Sequence, residues 1–177
     1  MRTKYSIICF LLSLFSISCK QTAFEKEMRV FNNSRIELML DSMNCVRTKE
    51  EMVVPNKSEY AYVIYVDSFS CSDCALNHFK DWVVLETQFD HRKFTYLFIV
   101  NPKKGERTHF IEKVKNDTLF NNRIYIDTTD VFKRHNPMLP QNNLLHTFMI
   151  NNKDTVILIG NPINNRKMKE LLNKIVQ

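Results

Sequence analysis

Two cysteines three positions apart carry the clearest chemical signal in this sequence of 177 residues. They stand in the run Ser70-Cys71-Ser72-Asp73-Cys74. Thiols at positions i and i+3 of a helix lie on one face, so their sulfurs can bond to each other. A close pair can also be a local structural disulfide, and the elements around it decide between the two interpretations.

The cysteine pair falls between a predicted strand and a predicted helix. Tyr60–Val66 is a run of β-branched and aromatic residues, which predicts a buried strand. Ala75–Phe89 has apolar residues at helical spacing, so Cys71 is expected where this helix begins. Exposed N–H groups and the helix dipole stabilise a thiolate at such a position. The context therefore favours a reactive pair over a structural one.

The rest of the chain predicts alternating strands and helices. Strands are expected at Ile36–Leu40, Phe94–Val100, Arg123–Ile126, Thr147–Ile150 and Thr155–Ile159, and helices at Thr108–Leu119, Val131–His135 and Arg166–Val176. Residues 20–33 are polar and charged, and predict a tether or a short irregular lead-in. The sequence has only two glycines, which excludes a Gly-rich phosphate loop or a dinucleotide-binding turn.

The N-terminus has the pattern of an export signal. Basic residues precede the short apolar run Ser6–Ile17, and small Ser18 precedes Cys19. This arrangement resembles a bacterial lipobox, in which the cysteine becomes the lipid-modified first residue, although Ser16 stands where Leu is usual. Ordinary cleavage without lipidation is the alternative. The expected organisation is a lipoprotein signal peptide over residues 1–18, a tether over 19–35 and one domain over 36–177.

The order of the predicted elements resembles the thioredoxin fold. Within that superfamily the chain is most similar to small thioredoxin-like lipoproteins of Bacteroidota. The similarity rests on the CxxC pair, Trp82, Phe98–Pro102, His146–Ile150, Ile159–Pro162 and Lys169–Leu171. It implies an α/β fold with a central mixed sheet and flanking helices. In that fold Cys71 is the exposed nucleophile, and Cys74, one turn further on, is the resolving thiol that breaks the mixed disulfide.

The resemblance also implies a function and a location. It implies a lipid-anchored thiol–disulfide oxidoreductase of the cell envelope that needs no cofactor. Its partners would be exported thiol or disulfide proteins and a membrane-bound reductase. Lys20–Ala23 lacks an acidic run after Cys19, which favours the periplasmic side of the outer membrane. The net charge of +6 is spread thinly, and no basic stripe is interleaved with aromatic residues, so no nucleic-acid partner is expected.

Two residues depart from the pattern of thioredoxin-like reductases. Asp73 places a negative charge beside the thiols, which is expected to raise the thiol pKa and favour a reducing couple. His146 stands where oxidoreductases of this fold place a cis-proline. A cis bond before a residue other than proline costs about 2.5–4 kcal/mol, so a trans peptide is expected. If the protein is an oxidoreductase, the substitution His146→Pro is expected to preserve or improve its activity.

His146 also opens an alternative function. Sco-type copper chaperones are thioredoxin-like and carry a metal-binding histidine at this place, so Cys71, Cys74 and His146 are candidate copper ligands. Those chaperones have C-x-x-x-C spacing, unlike the C-x-x-C spacing here. A redox-inert interaction domain is a further alternative. The structural interpretation of His146 is a partly buried polar residue that is hydrogen-bonded near the cysteine pair. A metal ligand or a base that tunes the thiols is the functional alternative.

The remaining side chains capable of chemistry are predicted to be structural. His78 is expected on the helix surface rather than as a further ligand. Asp67 is expected to form a turn, with proton relay to Cys74 as the alternative. Cys45 is expected to be a small buried hydrophobe, with pairing to another thiol as the alternative. Phe79, Trp82 and Phe89 are expected in the core, and His109 and His135 are assigned no role.

Overall fold

The structure is a computed structural model that describes residues 23–46, 58–90, 93–117 and 123–177. Within these residues a mixed sheet carries helices on both faces. The strands are β1 (Asn44–Val46), β2 (Tyr60–Val66), β3 (Phe94–Val100), β4 (Ile124–Ile126), β5 (Thr147–Asn151) and β6 (Val156–Ile159). The helices are α1 (described over residues 23–31), α2 (Ser72–Glu86), α3 (Arg107–Asn116), α4 (Val131–His135) and α5 (Arg166–Val176).

The strands follow the order β1-β4-β3-β2-β5-β6. Strand β2 pairs in parallel with β3 and antiparallel with β5, and β3 pairs in parallel with β4. The outer strands β1 and β6 are antiparallel to their neighbours. Strand β2 is therefore central, and the residues that follow it lie at the middle of one end of the sheet. This is the end at which α2 begins.

The burial of β2 follows from its position between two layers of helices. Side chains alternate between the faces of a strand. Tyr62, Ile64 and Val66 belong to the core cluster that contains residues of α2, α3 and α5. Val63 and Tyr65 belong to the cluster on the other face, with residues of α1 and α4. The continuous apolar sequence of this strand is thus explained, and the predicted bounds of β2, β3, α4 and α5 are confirmed.

The predicted strand at Ile36–Leu40 is wrong. Residues 36–39 have no regular secondary structure, and Leu40–Ser42 is a turn of 3-10 helix. The backbone of Glu37 is instead satisfied by the side chain of Asn136, which accepts from the Glu37 N–H and donates to its carbonyl, both at 2.9 Å. A buried amide therefore replaces the neighbouring strand that the sequence pattern implied.

Residues 23–31 form helix α1 rather than an irregular lead-in. The helix is anchored by Phe31, which is fully buried and meets Phe148 edge-on with ring centroids 4.9 Å apart. Phe24 and Phe31 are seven residues apart, which places them on one helical face. This spacing is the sequence feature that indicates the helix, whereas the charged residues around it favour an irregular segment.

Among the described residues, no helix combines the length and apolar character needed to cross a membrane. The expected signal peptide over residues 1–18 and the candidate lipidation residue Cys19 lie outside the described part of the chain. The predictions for them remain predictions from the sequence.

Candidate redox site

Cys71 and Cys74 form a disulfide at the start of α2. Their Cα atoms are 5.2 Å apart, within the range that the bond requires. Cys71 is the N-cap residue of the helix, and its Sγ accepts a hydrogen bond from the N–H of Cys74 at 3.2 Å. Both cysteines are exposed. The sulfur of Cys71 therefore already has an N–H donor that would stabilise a thiolate after reduction.

The loop that delivers Cys71 is built around Asp67. This carboxylate is buried, and its Oδ1 accepts hydrogen bonds from Phe69 N at 3.2 Å, Ser70 N at 3.0 Å and Ser70 Oγ at 2.7 Å. Three donors on one oxygen fix the turn between β2 and α2. The geometry fits the predicted turn-forming role of Asp67.

The exposure of Cys74 follows from the apolar stripe of α2. The inward face of the helix carries Ser72, Leu76 and Phe79, all at most 2% exposed. Each residue turns the helix by about 100°, so Cys74 lies about 200° from Ser72 and points away from the core. The Oγ of Ser72 has no hydrogen-bond partner among the described residues. Because Cys71 and Cys74 are both exposed, exposure does not distinguish them. Their roles must follow from their places along the helix.

Asp73, between the cysteines, is held by two basic side chains of α3. Its Oδ2 lies 2.9 Å from Lys113 Nζ and 3.7 Å from His109 Nε2. The sequence predicts an uncompensated negative charge here, whereas the structure supplies a counter-charge. His109, to which the sequence assigned no role, is part of this cluster. Its spacing of four residues from Lys113 places both side chains on one helical face, which was the available signal.

His146 lies directly before β5 and beside the end of β2. Its carbonyl accepts from Tyr65 N at 2.9 Å, and its ring lies 5.2 Å from that of Tyr65. The side chain is 2% exposed, and Nε2 is 2.8 Å from the carbonyl of Pro140. A carbonyl only accepts, so Nε2 carries the proton. Burial lowers the pKa of His146, partly opposed by the bond to Pro140. The described peptide bonds are all trans, as expected for this position.

No three His, Cys, Asp or Glu side chains among the described residues are placed to hold a metal ion. The remaining ring nitrogen of His146, Nδ1, is buried and has no partner in the described part of the chain. Copper binding by Cys71, Cys74 and His146 remains a prediction from the sequence.

Other sequence predictions around the site have mixed outcomes. His78 lies on the exposed surface of α2 beside Asp81, as predicted. Phe79 and Trp82 are core residues, and Phe89 packs against that core. The prediction that Cys45 is buried is wrong, because it is exposed in the edge strand β1 and pairs with no other cysteine of the described residues. Side chains alternate along a strand, so Cys45 lies on the face of β1 opposite to buried Val46.

The arrangement of elements around the cysteine pair decides the fold. The pair follows the central strand β2 and opens helix α2. Further along the chain, the β2–α2–β3 unit is followed by the β5–β6 hairpin and the closing helix α5. The chain has a thioredoxin-like fold. No family model and no curated protein matches the sequence. The thioredoxin domain of a thiol-disulfide oxidoreductase from Bacteroides vulgatus is similar at 12% identity and a TM-score of 0.49, covering 82% of this chain and 98% of that chain.

Two further solved structures are similar in the same way. An exposed lipoprotein thioredoxin from Streptococcus pneumoniae is 17% identical, with a TM-score of 0.45, and the match covers 67% of this chain and 86% of that chain. A domain of a possible thiol-disulfide isomerase from Cytophaga hutchinsonii is 12% identical, with a TM-score of 0.44, covering 74% and 87%. The strand order and the place of the CxxC pair in this chain carry the fold assignment themselves.

Proposed function

We propose that this protein is a thiol–disulfide oxidoreductase of the cell envelope. One observation carries the proposal: an exposed disulfide occupies the N-terminus of α2, with Cys71 Sγ already accepting the N–H of Cys74. A thiolate at a helix N-terminus is stabilised and becomes both a nucleophile and a leaving group. A disulfide that served only packing would not need both of its cysteines to be exposed.

The proposed reaction is disulfide exchange through a mixed disulfide. The thiolate of Cys71 attacks one sulfur of a target disulfide, and the other target sulfur leaves as a thiolate and takes up a proton. Cys74, losing its proton, then attacks Cys71 Sγ and releases the first target sulfur, which is protonated in turn. Two electrons pass to the target, which takes up one proton from Cys74 and one from solvent, and the Cys71–Cys74 disulfide forms again. A membrane-bound dithiol reductase would restore the reduced pair.

Exposed apolar side chains beside the pair support a protein as the target. Phe69 is 84% exposed two residues before Cys71, and Leu144 is 73% exposed two residues before His146. The bond between Tyr65 N and the His146 carbonyl places their loops at the same end of the sheet. Exposed apolar groups flanking a reactive centre are typical of a surface that contacts another polypeptide. Exported proteins with disulfides are the proposed targets.

The proposed location is the periplasmic side of the outer membrane, through lipid on Cys19. This rests on the N-terminal sequence pattern alone. Two or more acyl chains give stable membrane attachment. The substitution Cys19→Ala is expected to release the protein from the membrane fraction or to block its maturation. A wild-type protein that incorporates no fatty-acid probe would contradict lipid anchoring.

The exchange reaction is tested by trapping the intermediate. Without its resolving thiol, Cys74→Ser is expected to accumulate mixed disulfides through Cys71, which gel mobility and mass spectrometry detect. Cys45→Ser is the matched control, because Cys45 is also exposed but lies in β1; it should behave as wild type. Mixed disulfides that form equally through Cys45 and Cys71 in Cys74→Ser would contradict the assignment of Cys71 as nucleophile.

The copper alternative is tested on the same protein. We expect no stoichiometric copper to be retained when the reduced wild type is loaded with Cu(I) and desalted. Copper that is retained by wild type and lost in His146→Gln, together with absent exchange activity, would favour the copper-binding function instead.

A further inference from the structure

Asp73 and Lys113 form an ion pair across two helices beside the redox pair. Asp73 follows Cys71 by two residues in the first turn of α2, and Lys113 is in the last turn of α3. The 2.9 Å contact joins side chains that are 41% and 37% exposed. His109 Nε2 is more distant, at 3.7 Å, and its side chain is more exposed, at 72%. Lys113 is therefore the principal counter-charge to Asp73.

The charges of this pair act on one redox form only. The disulfide of Cys71 and Cys74 is uncharged, whereas reduction creates a thiolate at the N-cap, in the same helical turn as the Asp73 carboxylate. Two negative charges so close repel each other, and a nearby cation offsets the repulsion. Any group that stabilises the thiolate stabilises the reduced form and raises the reduction potential.

We propose that Lys113 is a positioning residue that sets the reduction potential of the Cys71–Cys74 pair by compensating Asp73. The inference rests on the proposed function and deepens it. Asp73 alone would make the couple more reducing, and Lys113 returns it toward a more oxidising value. The side chain that sets the potential therefore comes from α3, forty residues away from Asp73 along the chain.

The relevant equilibrium is the one with glutathione. Two glutathione thiols reduce the protein disulfide and become glutathione disulfide. The protein gains two electrons and one proton, giving the Cys71 thiolate and the Cys74 thiol, and one proton is released to solvent. The position of this equilibrium measures the free-energy difference on which Asp73 and Lys113 act.

The test is a charge cycle in the full chain, equilibrated with glutathione at neutral pH. Alkylation and mass spectrometry of the peptide that carries both cysteines give the reduced fraction. Lys113→Met is expected to lower the equilibrium constant for reduction roughly threefold to tenfold, and Asp73→Asn to raise it by a similar factor. A tenfold change corresponds to about 30 mV. The double variant should return close to wild type, since it lacks both charges.

Two further variants control for structural effects. Lys113→Arg keeps the charge and should keep the wild-type potential, even if Lys113→Met perturbs folding. Glu170→Gln breaks the Arg166–Glu170 pair of α5, which is also 2.9 Å long, and should change nothing. The rate of Cys71 alkylation gives a second readout that a purely structural role would not move, and it should fall in Lys113→Met and rise in Asp73→Asn.

The outcomes separate this inference from the proposed function. A wild-type pair that titrates reversibly, with equal potentials in wild type, Lys113→Met and Asp73→Asn, would overturn the role of Lys113 and leave the exchange reaction standing. Shifts of the same sign in both single variants would overturn it as well. A wild-type pair that does not titrate with glutathione at all would overturn the proposed function and this inference with it.

Discussion

Two regions beside the carboxyl end of β2 handle charge in opposite ways. On the side of α2, Asp73, Lys113 and His109 are partly exposed and form an ion-pair cluster next to the cysteines. On the side of β5, His146 is buried against Tyr65, with one ring nitrogen bonded to Pro140 and a lowered pKa. The first region is charged and accessible to solvent, whereas the second is neutral and buried.

This difference indicates which property of the protein each region controls. Partly exposed charges contribute little to folding, because solvent screens them, but they act on a neighbouring charge that appears only upon reduction. A buried, hydrogen-bonded ring contributes to folding, because removing it leaves polar groups without partners. Substitutions near Asp73 should therefore change redox equilibria, and substitutions at His146 should change stability.

The largest effect on stability is expected for His146→Pro. Proline removes the N–H that His146 donates to Asn143 at 3.1 Å and the ring that bonds to Pro140. It also disfavours the 3-10 conformation of Leu145, which precedes it. We expect a loss of about 3 kcal/mol in the free energy of unfolding, measured by urea denaturation.

The sequence-based prediction that His146→Pro preserves or improves activity remains a prediction, to which the structure adds an expected cost in stability. His146→Gln, which keeps a donor within reach of Pro140 and the backbone N–H, is the matched control and should lose less. A proline variant as stable as wild type would show that the buried region does not depend on His146.

Asp67, in the turn between the two regions, is expected to have an intermediate effect. Asp67→Ala removes a buried oxygen that accepts three hydrogen bonds. The Phe69 N–H and the Ser70 hydroxyl lose this acceptor, whereas the Ser70 N–H keeps its bond to the Asp67 carbonyl at 3.1 Å. The expected cost is about 2 kcal/mol. Asp81→Ala, on the exposed face of α2, is the control and should cost less than about 0.5 kcal/mol. Among the described residues, the one ion-pair contact of Asp81 is to His78 at 3.6 Å. Equal costs at both positions would remove the structural role of Asp67.

The smallest of these effects is the pH dependence of stability. The unfolded chain binds a proton at His146 near its ordinary pKa of about 6.5, whereas burial lowers the folded-state pKa. Below about pH 6.5 the unfolded state therefore binds more protons, and stability is lost as the pH falls through the folded-state pKa. Compared with wild type, His146→Gln should lose less stability as the pH falls below about 6.5. His78→Gln, at an exposed position of α2, is the control and should follow wild type. A His146→Gln variant whose stability has the same pH dependence as wild type would contradict a neutral, buried His146.

Local sequence patterns predict the elements of this fold well where one residue run determines them. The bounds of β2 and β3 follow from unbroken apolar runs, and those of α5 from its helical spacing. The segment at Ile36–Leu40 could not be predicted, because its backbone partners are distant in the sequence. The Glu37 backbone bonds to the side chain of Asn136, and the Ile36 N–H donates to the carbonyl of Asp154. An apolar run indicates burial, but it does not specify which groups satisfy the backbone.

The candidate site likewise combines local features that the sequence predicts with contacts that it does not. Cys71 and Cys74 are recognisable from spacing and context, because the disulfide and the helix start are local. The Asp73–Lys113 pair spans forty residues, so it depends on how α3 packs against α2. The hydrogen bond of His146 to Pro140 is closer in sequence, but it lies within an irregular segment that has no periodic pattern to read.

The central claim is that Cys71 and Cys74 form a reversible redox couple with an activated first thiol. The most direct test is a thiol-trapping redox titration of the full chain, with alkylation at each cysteine quantified by mass spectrometry. The account predicts a single two-electron transition at this pair, no participation of Cys45, and faster alkylation of Cys71 than of Cys74 near neutral pH. Equal, slow alkylation of both thiols, or a disulfide that does not respond to the applied potential, would contradict it and identify the bond as purely structural.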